Sequence, residues 1–192
     1  NNGTTWSPKL DIVAGIGVTD IQTASTTTFS NYTTKPIYVS TGDSDGKNIK
    51  SIGVLKSTDG GETFVSTGLS NALSEQTEVS DLVVLDDNTL FVGKDNLIKK
   101  SIDGGTTWTN AYDVGGTDTM NGRVAVSGTN IMFTGNKGVY FSADSGTTWS
   151  VAIAPNGENR RAVTLGSDGS FYIQNQTGEI KKYDIGTKTF TV

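Results

Sequence analysis

A chain with no His and no Cys must do any chemistry with carboxylates, Arg, Lys, Tyr and hydroxyl side chains. Nucleophile–histidine machinery, thiolates and the usual zinc and haem ligands are excluded. Two acids stand in like surroundings, Asp20 in Val18-Thr19-Asp20-Ile21 and Asp81 in Val79-Ser80-Asp81-Leu82. A glycoside hydrolase needs two carboxyl groups across the scissile bond, about 5–5.5 Å apart for retention or about 6.5–9.5 Å for inversion. Asp20 and Asp81 are therefore the candidate catalytic residues, although the same pattern also describes the start of a strand with a solvated acid. Candidate ligand-binding residues are Tyr112, Arg123, Arg160, Asp43 and Asp45. Asp43-Ser44-Asp45-Gly46 alternates carboxylates before a glycine, as a calcium loop does. The twelfth position of such a loop is Val54, however, and supplies no ligand. Calcium near Asp43 and Asp45 is the one cofactor this sequence offers; no other metal or cofactor is expected.

Charge narrows the partners. With 15 Lys and Arg among 192 residues and a formal net charge of −5, a phosphate-backbone partner is disfavoured, because nucleic-acid binding is built on cationic neutralisation. No apolar run approaches the roughly 18–20 residues of a membrane helix, so membrane insertion is not expected. The first residues, Asn1-Asn2-Gly3-Thr4-Thr5-Trp6, do not form a signal peptide. Abundant Thr, Ser, Asn and Gly with few charges suit a secreted or cell-surface β-protein.

The elements that must position these residues are given by a repeat. Ser57-Thr58-Asp59-Gly60-Gly61-Glu62-Thr63-Phe64 recurs as Ser101-Ile102-Asp103-Gly104-Gly105-Thr106-Thr107-Trp108 and as Ser142-Ala143-Asp144-Ser145-Gly146-Thr147-Thr148-Trp149. The chain opens inside a further copy ending at Trp6, and a decayed copy runs to Phe190. The closing aromatics are separated by 58, 44, 41 and 41 residues, the period of a four-stranded propeller blade. Short apolar strands precede each box, turn residues separate them, and no segment keeps a period of 3.6. The fold class is all-β, a β-propeller of about four four-stranded antiparallel blades. Residues 1–192 form one segment, with an orphan strand in 1–15 and blade repeats at 16–68, 69–110, 111–153 and 154–192. Because the last repeat carries its own fourth strand, the orphan strand has no blade to complete, and an arc of a larger ring is expected.

Within each box the sequence assigns structural roles to Ser57, Asp59, Gly61 and Phe64, to Ser101, Asp103, Gly105 and Trp108, and to Ser142, Asp144, Gly146 and Trp149. Glycine supplies a positive φ, the acid accepts loop amides, and the aromatic packs as a wedge. Tyr38, Phe91, Phe133 and Tyr172 are read as equivalent core positions of the second strands. Tyr112 is placed in a connection between repeats.

Ser-x-Asp-x-Gly-x-Thr-aromatic resembles the Asp-box, or BNR repeat, of sialidases, xyloglucan-acting glycoside hydrolases, sortilin-type propellers and photosystem II assembly factors. Residues 37–61 are most similar to secreted bacterial sortilin-like or xyloglucanase-like propellers. The resemblance implies that the boxes lie on the face away from any active centre. It also implies that a glycan or protein ligand sits on the opposite face, with the remaining blades of a larger propeller as partners. The expected function is a non-catalytic binding or scaffolding segment of a secreted or cell-surface protein. The alternative is part of a glycoside hydrolase using paired carboxylates. A sialidase needs three converging arginines, whereas Arg123, Arg160 and Arg161 are the only ones here, and adjacent residues point to opposite faces of a strand.

Overall fold

The computed structural model describes residues 4–5, 7–8, 16–24, 27–28, 30–43, 51–72, 79–116, 118–153 and 160–191, without the side chains of Arg160 and Arg161. Sixteen strands and no helix are found among them. The first blade is β1 (Val18–Thr23), β2 (Ile37–Thr41), β3 (Gly53–Ser57) and β4 (Val65–Ser70); the second is β5 (Val79–Val84), β6 (Leu90–Lys94), β7 (Leu97–Ser101) and β8 (Thr109–Asp113). The third is β9 (Val124–Ser127), β10 (Asn130–Thr134), β11 (Val139–Ser142) and β12 (Ser150–Ile153); the fourth is β13 (Arg160–Leu165), β14 (Phe171–Asn175), β15 (Ile180–Asp184) and β16 (Thr189–Thr191). Each blade is a four-stranded antiparallel meander in sequence order, and the first strands neighbour one another as β1, β5, β9 and β13. The chain is therefore an arc of propeller blades with its first strands along the inner edge.

Because the second and third blades are each sandwiched between two others, both faces of their middle strands are apolar. In β6, Leu90 and Val92 pack toward the first blade, while Phe91 packs toward the third; all three are fully buried. Likewise Ile131 and Phe133 face the second blade and Met132 the fourth. This register corrects one expectation. Tyr38, Phe91 and Tyr172 pair with Lys56, Lys100 and Lys182, each one residue before the box position, and the residue so placed in the third blade is Met132, paired with Phe141. Phe133 is one step out of register and on the other face. Tyr172 is half-buried rather than core, because it lies on the outward face of the fourth blade.

The decayed copy before Phe190 also differs in geometry. Tyr183 occupies the ladder position of the box serines, opposite Phe171, and its buried ring lies 5.2 Å from Phe141 and 4.7 Å from Phe190. A short turn, with Thr187 N–H donating to Asp184 Oδ1 at 2.8 Å and Lys188 at φ 57°, replaces the box. In the segment expected to hold the orphan strand, Thr4, Thr5, Ser7 and Pro8 are exposed and outside any strand. Trp6 and 9–15 lie outside the described residues.

Candidate functional site

The three boxes share one hydrogen-bond pattern. In the second, Ser101 Oγ donates to Asp103 Oδ1 at 2.8 Å and accepts from Gly105 N–H at 2.9 Å. Asp103 accepts from Thr107 N–H at 2.8 Å and from Thr107 Oγ1 at 2.6 Å. The bonds recur around Asp59 and Asp144. The bonds donated to the carboxylate favour its ionised form, the threonine hydroxyl most, so Asp103 and Asp144 are lowered to about 2 and Asp59 further still. An acid held so low is neither a general acid nor a useful base near neutrality; it closes a loop. Trp108 and Trp149 pack against the two inter-blade cores. Trp108 Nε1 donates to Gly105 O at 3.1 Å, and the Trp149 ring lies 6.0 Å from Phe91 and 5.8 Å from Phe133.

Two predictions arise here. Asp103→Ala is expected to lower the thermal unfolding midpoint without altering ligand affinity, checked by calorimetry and titration on the same sample. The second concerns acid. These carboxylates have folded pKa values below their unfolded ones, so their stabilisation is complete above about pH 4 and is lost as pH falls toward 2. Urea midpoints should therefore fall between pH 4 and pH 2, and the fall should shrink when Asp103 and Asp144 are both replaced by Asn.

At the inner edge, the two candidate catalytic acids tie neighbouring blades together. Asp20 Oδ1 accepts from Ile21 N–H at 2.8 Å, and Oδ2 accepts from Leu82 N–H of the second blade at 3.1 Å. Gln22 Nε2 bonds both oxygens. Asp81 forms an ion pair with Arg123 of the third blade at 2.7 Å. Among the described residues the first strands have no partner on their inner side, and at Leu82 N–H the acid of the preceding blade supplies an acceptor the ladder cannot. Burial raises the Asp81 pKa and outweighs the Arg123 bond, with the nearby Asp20 charge adding to the rise.

On the face away from the boxes, residues 114–116 and 118–123 are laced between two turns. Val114 N–H donates to Asn96 O and Met120 N–H to Asp95 O in the second blade, while Asn136 N–H of the third donates to Thr119 O. At its centre is Asp118, 3% exposed and absent from the sequence reading. Its Oδ1 accepts from Thr119 and Lys137 N–H, both at 2.8 Å; Oδ2 accepts from Gly138 N–H at 2.8 Å and Tyr140 Oη at 2.7 Å. Burial and Asp118 together push the Tyr140 phenol well above its ordinary range. Tyr112 lies inside β8, not in a connection as expected; its half-buried ring is 5.8 Å from Tyr140 and 6.5 Å from Trp149. An outer strand longer than its repeat boundary draws it into the core. Asp43 is half-buried just beyond β2, Asp45 lies outside the described residues, and the backbone of Arg160 opens β13. The structure thus joins Asp81 with Arg123 and sets Tyr112 apart from them, against the core.

A concavity of about 900 Å³ runs along the first strands between Gln22, Val84 and Val126 and reaches the box end at Ile102 and Thr147, with Asp86 and Lys100 as its charged lining. Burial tends to raise Asp86, but the amides of Asn88 and Thr89 outweigh it and hold the acid low.

No protein-family model matches the chain, and no curated protein matches it. Among solved structures, the GH74 enzyme of Niastella koreensis is similar at a TM-score of 0.62 and 23% identity, over 91% of this chain and 30% of that one. YCF48 of Cyanidioschyzon merolae matches at 0.59 and 14%, over 92% and 56%. The extracellular domain of BT4673 from B. thetaiotaomicron matches at 0.61 and 12%, over 92% and 21%. The chain spans less than two thirds of the length of each. At these identities the likeness is one of fold, and it identifies the chain as an arc of β-propeller blades of the kind found in GH74 enzymes, YCF48 and BT4673.

Proposed function

We propose that the chain is a non-catalytic binding or scaffolding arc of a larger, secreted or cell-surface Asp-box propeller, taking a glycan or protein ligand on the face opposite the boxes. The observation that carries this reading is the engagement of Asp20 and Asp81 with the next blade, through Leu82 N–H and through Arg123. Carboxyl oxygens already engaged by backbone amides and by a guanidinium are poorly placed to face a glycosidic bond, whatever the proton affinity that burial gives Asp81. The loops on that face are held in place by Asp118, so a ligand would meet a preformed surface. Tyr112, Arg123, Arg160, Asp43 and Asp45 stay the residues proposed for contact, and the extracellular setting of the BT4673 domain supports the location.

The second reading, part of a glycoside hydrolase, is favoured by the similarity to the GH74 enzyme. Glycan-array binding together with hydrolysis assays separates the two. The purified chain is expected to cleave neither xyloglucan oligosaccharides nor sialosides. Cleavage that Asp20→Asn or Asp81→Asn abolishes in a folded protein would establish the hydrolase instead.

A further inference from the structure

We propose that the outward face of the fourth blade is the docking face for a further blade of the same propeller, and specifically for one carrying a complete box. This rests on the reading of the chain as an arc. The ladder aligns the outward-facing residues of each blade: Tyr38, Val54 and Lys56 in the first, Phe91, Ile98 and Lys100 in the second, Met132, Val139 and Phe141 in the third, and Tyr172, Ile180 and Lys182 in the fourth. An aromatic ring, a branched aliphatic and a lysine therefore occur together three times. The first two sets are covered by blades with a box, and Tyr38, Val54, Phe91 and Ile98 are all fully buried. The third set lacks the lysine and is covered by the blade whose box has decayed. The fourth set has the aromatic and the lysine again.

The chemistry of the pair explains the correlation. Lys56 Nζ donates to Gly104 O at 3.0 Å and Tyr38 Oη to Asp87 O at 3.1 Å, both in the second blade. The Tyr38 ring is in ordinary contact with Gly105, its Cε1 3.7 Å from the position a Cβ would take, and Thr67 lies closer to that position. At the next interface the fit is tighter: a Cβ on Gly146 would collide with the Phe91 ring. In the first interface the lysine thus meets a carbonyl of the box turn, and in the second the ring needs the box glycine while Lys100 stays over the Phe91 ring. On the fourth blade, Tyr172 Oη at 2.9 Å and Lys182 Nζ at 2.8 Å both bond Asp168 Oδ2 of their own blade. Asp168 stands in for the missing acceptors and holds the pair ready, while Ile180 is left 56% exposed where Val54 and Ile98 are buried. A partner without a box would cover Ile180 but give Lys182 no turn carbonyl.

The test extends the full chain after Val192 with a second copy of residues 71–114, which follow β4 in the native order, or with a copy of the boxless 154–192. Tetranitromethane nitration of Tyr172, followed by peptide mapping, reads the docking. The box-bearing copy is expected to slow nitration of Tyr172 about ten-fold, as burial by a stably docked element does, while exposed Tyr32 is unchanged. The boxless copy should give no such protection, and Lys182→Met should weaken the protection by the box-bearing one. Unslowed nitration with the box-bearing copy, whether that copy folds or not, overturns the proposal. So does equal protection by the boxless copy, or self-association of the unextended chain that shields Tyr172. A negative glycan array would leave this outcome untouched.

Discussion

Gly146→Ala is expected to destabilise the protein by about 2–5 kcal/mol, out of the roughly 5–15 kcal/mol that holds a domain folded. Two separable costs combine. Gly146 has φ 74°, and placing an L-residue there costs about 1–2 kcal/mol. Its Cβ would also fall far inside contact distance of the Phe91 ring, and overpacking of this kind adds about 1–3 kcal/mol. Gly128 isolates the first cost, since it has φ 59° and nothing within 4 Å of a Cβ; Gly128→Ala should lose only about 1–2 kcal/mol. Phe91→Ala alone should cost about 3–5 kcal/mol through the cavity it leaves. Combined with Gly146→Ala, the loss should fall short of the sum by about 1–3 kcal/mol, because the ring that collides is gone. Urea titrations of the four variants measure all of these terms. Strict additivity would mean that the third box does not seat on Phe91.

The sequence made the fold legible because its punctuation is regular. Ser-x-Asp-x-Gly marks the same turn in three blades, and the interval between closing aromatics counts strands without knowledge of register. Register was legible only where one residue type stood out. In Ile131-Met132-Phe133 every side chain is buried, because consecutive residues serve two different inter-blade cores. Alternation therefore carries no signal, and in the sequence the aromatic stands where the equivalent of Phe91 is expected. Asp20 and Asp81 present a different ambiguity. An acid at an inner-edge strand start has the same sequence whether its oxygens meet a sugar or the next blade's amide, and only the neighbour's backbone distinguishes the two. Asp118 gave no signal at all: three of its four donors are backbone N–H groups, which no residue type encodes, and the fourth is the hydroxyl of Tyr140, twenty-two residues away.

That buried acid carries the second large effect. Asp118→Ala would strip the acceptor from three backbone N–H groups and the Tyr140 hydroxyl at once. Each unsatisfied buried donor costs about 1–3 kcal/mol, and water entering the space left by the carboxylate recovers part of it, so a net loss of about 3–5 kcal/mol is expected. Asp118→Asn keeps the shape and one oxygen. That oxygen can serve Thr119 and Lys137, and Tyr140 can rotate to accept from the new amide, which leaves the Gly138 N–H and the Tyr140 hydroxyl proton without the acceptor they shared. Its loss should be about 1–3 kcal/mol. Tyr140→Phe removes one bond and leaves the carboxylate three donors, so about 1 kcal/mol should be lost. The order Ala, Asn, Phe is set by the number of orphaned donors rather than by side-chain volume. Hydrogen exchange gives a local check: the Lys137 and Gly138 amides should lose protection in Asp118→Ala, while those of Gly61, Gly105 and Gly146, at the other end of the blades, should keep theirs. Were Asp118→Ala to lie within about 1 kcal/mol of the parent, the loops opposite the boxes would be held by something other than this carboxylate. The surface proposed for ligand would then not owe its shape to Asp118.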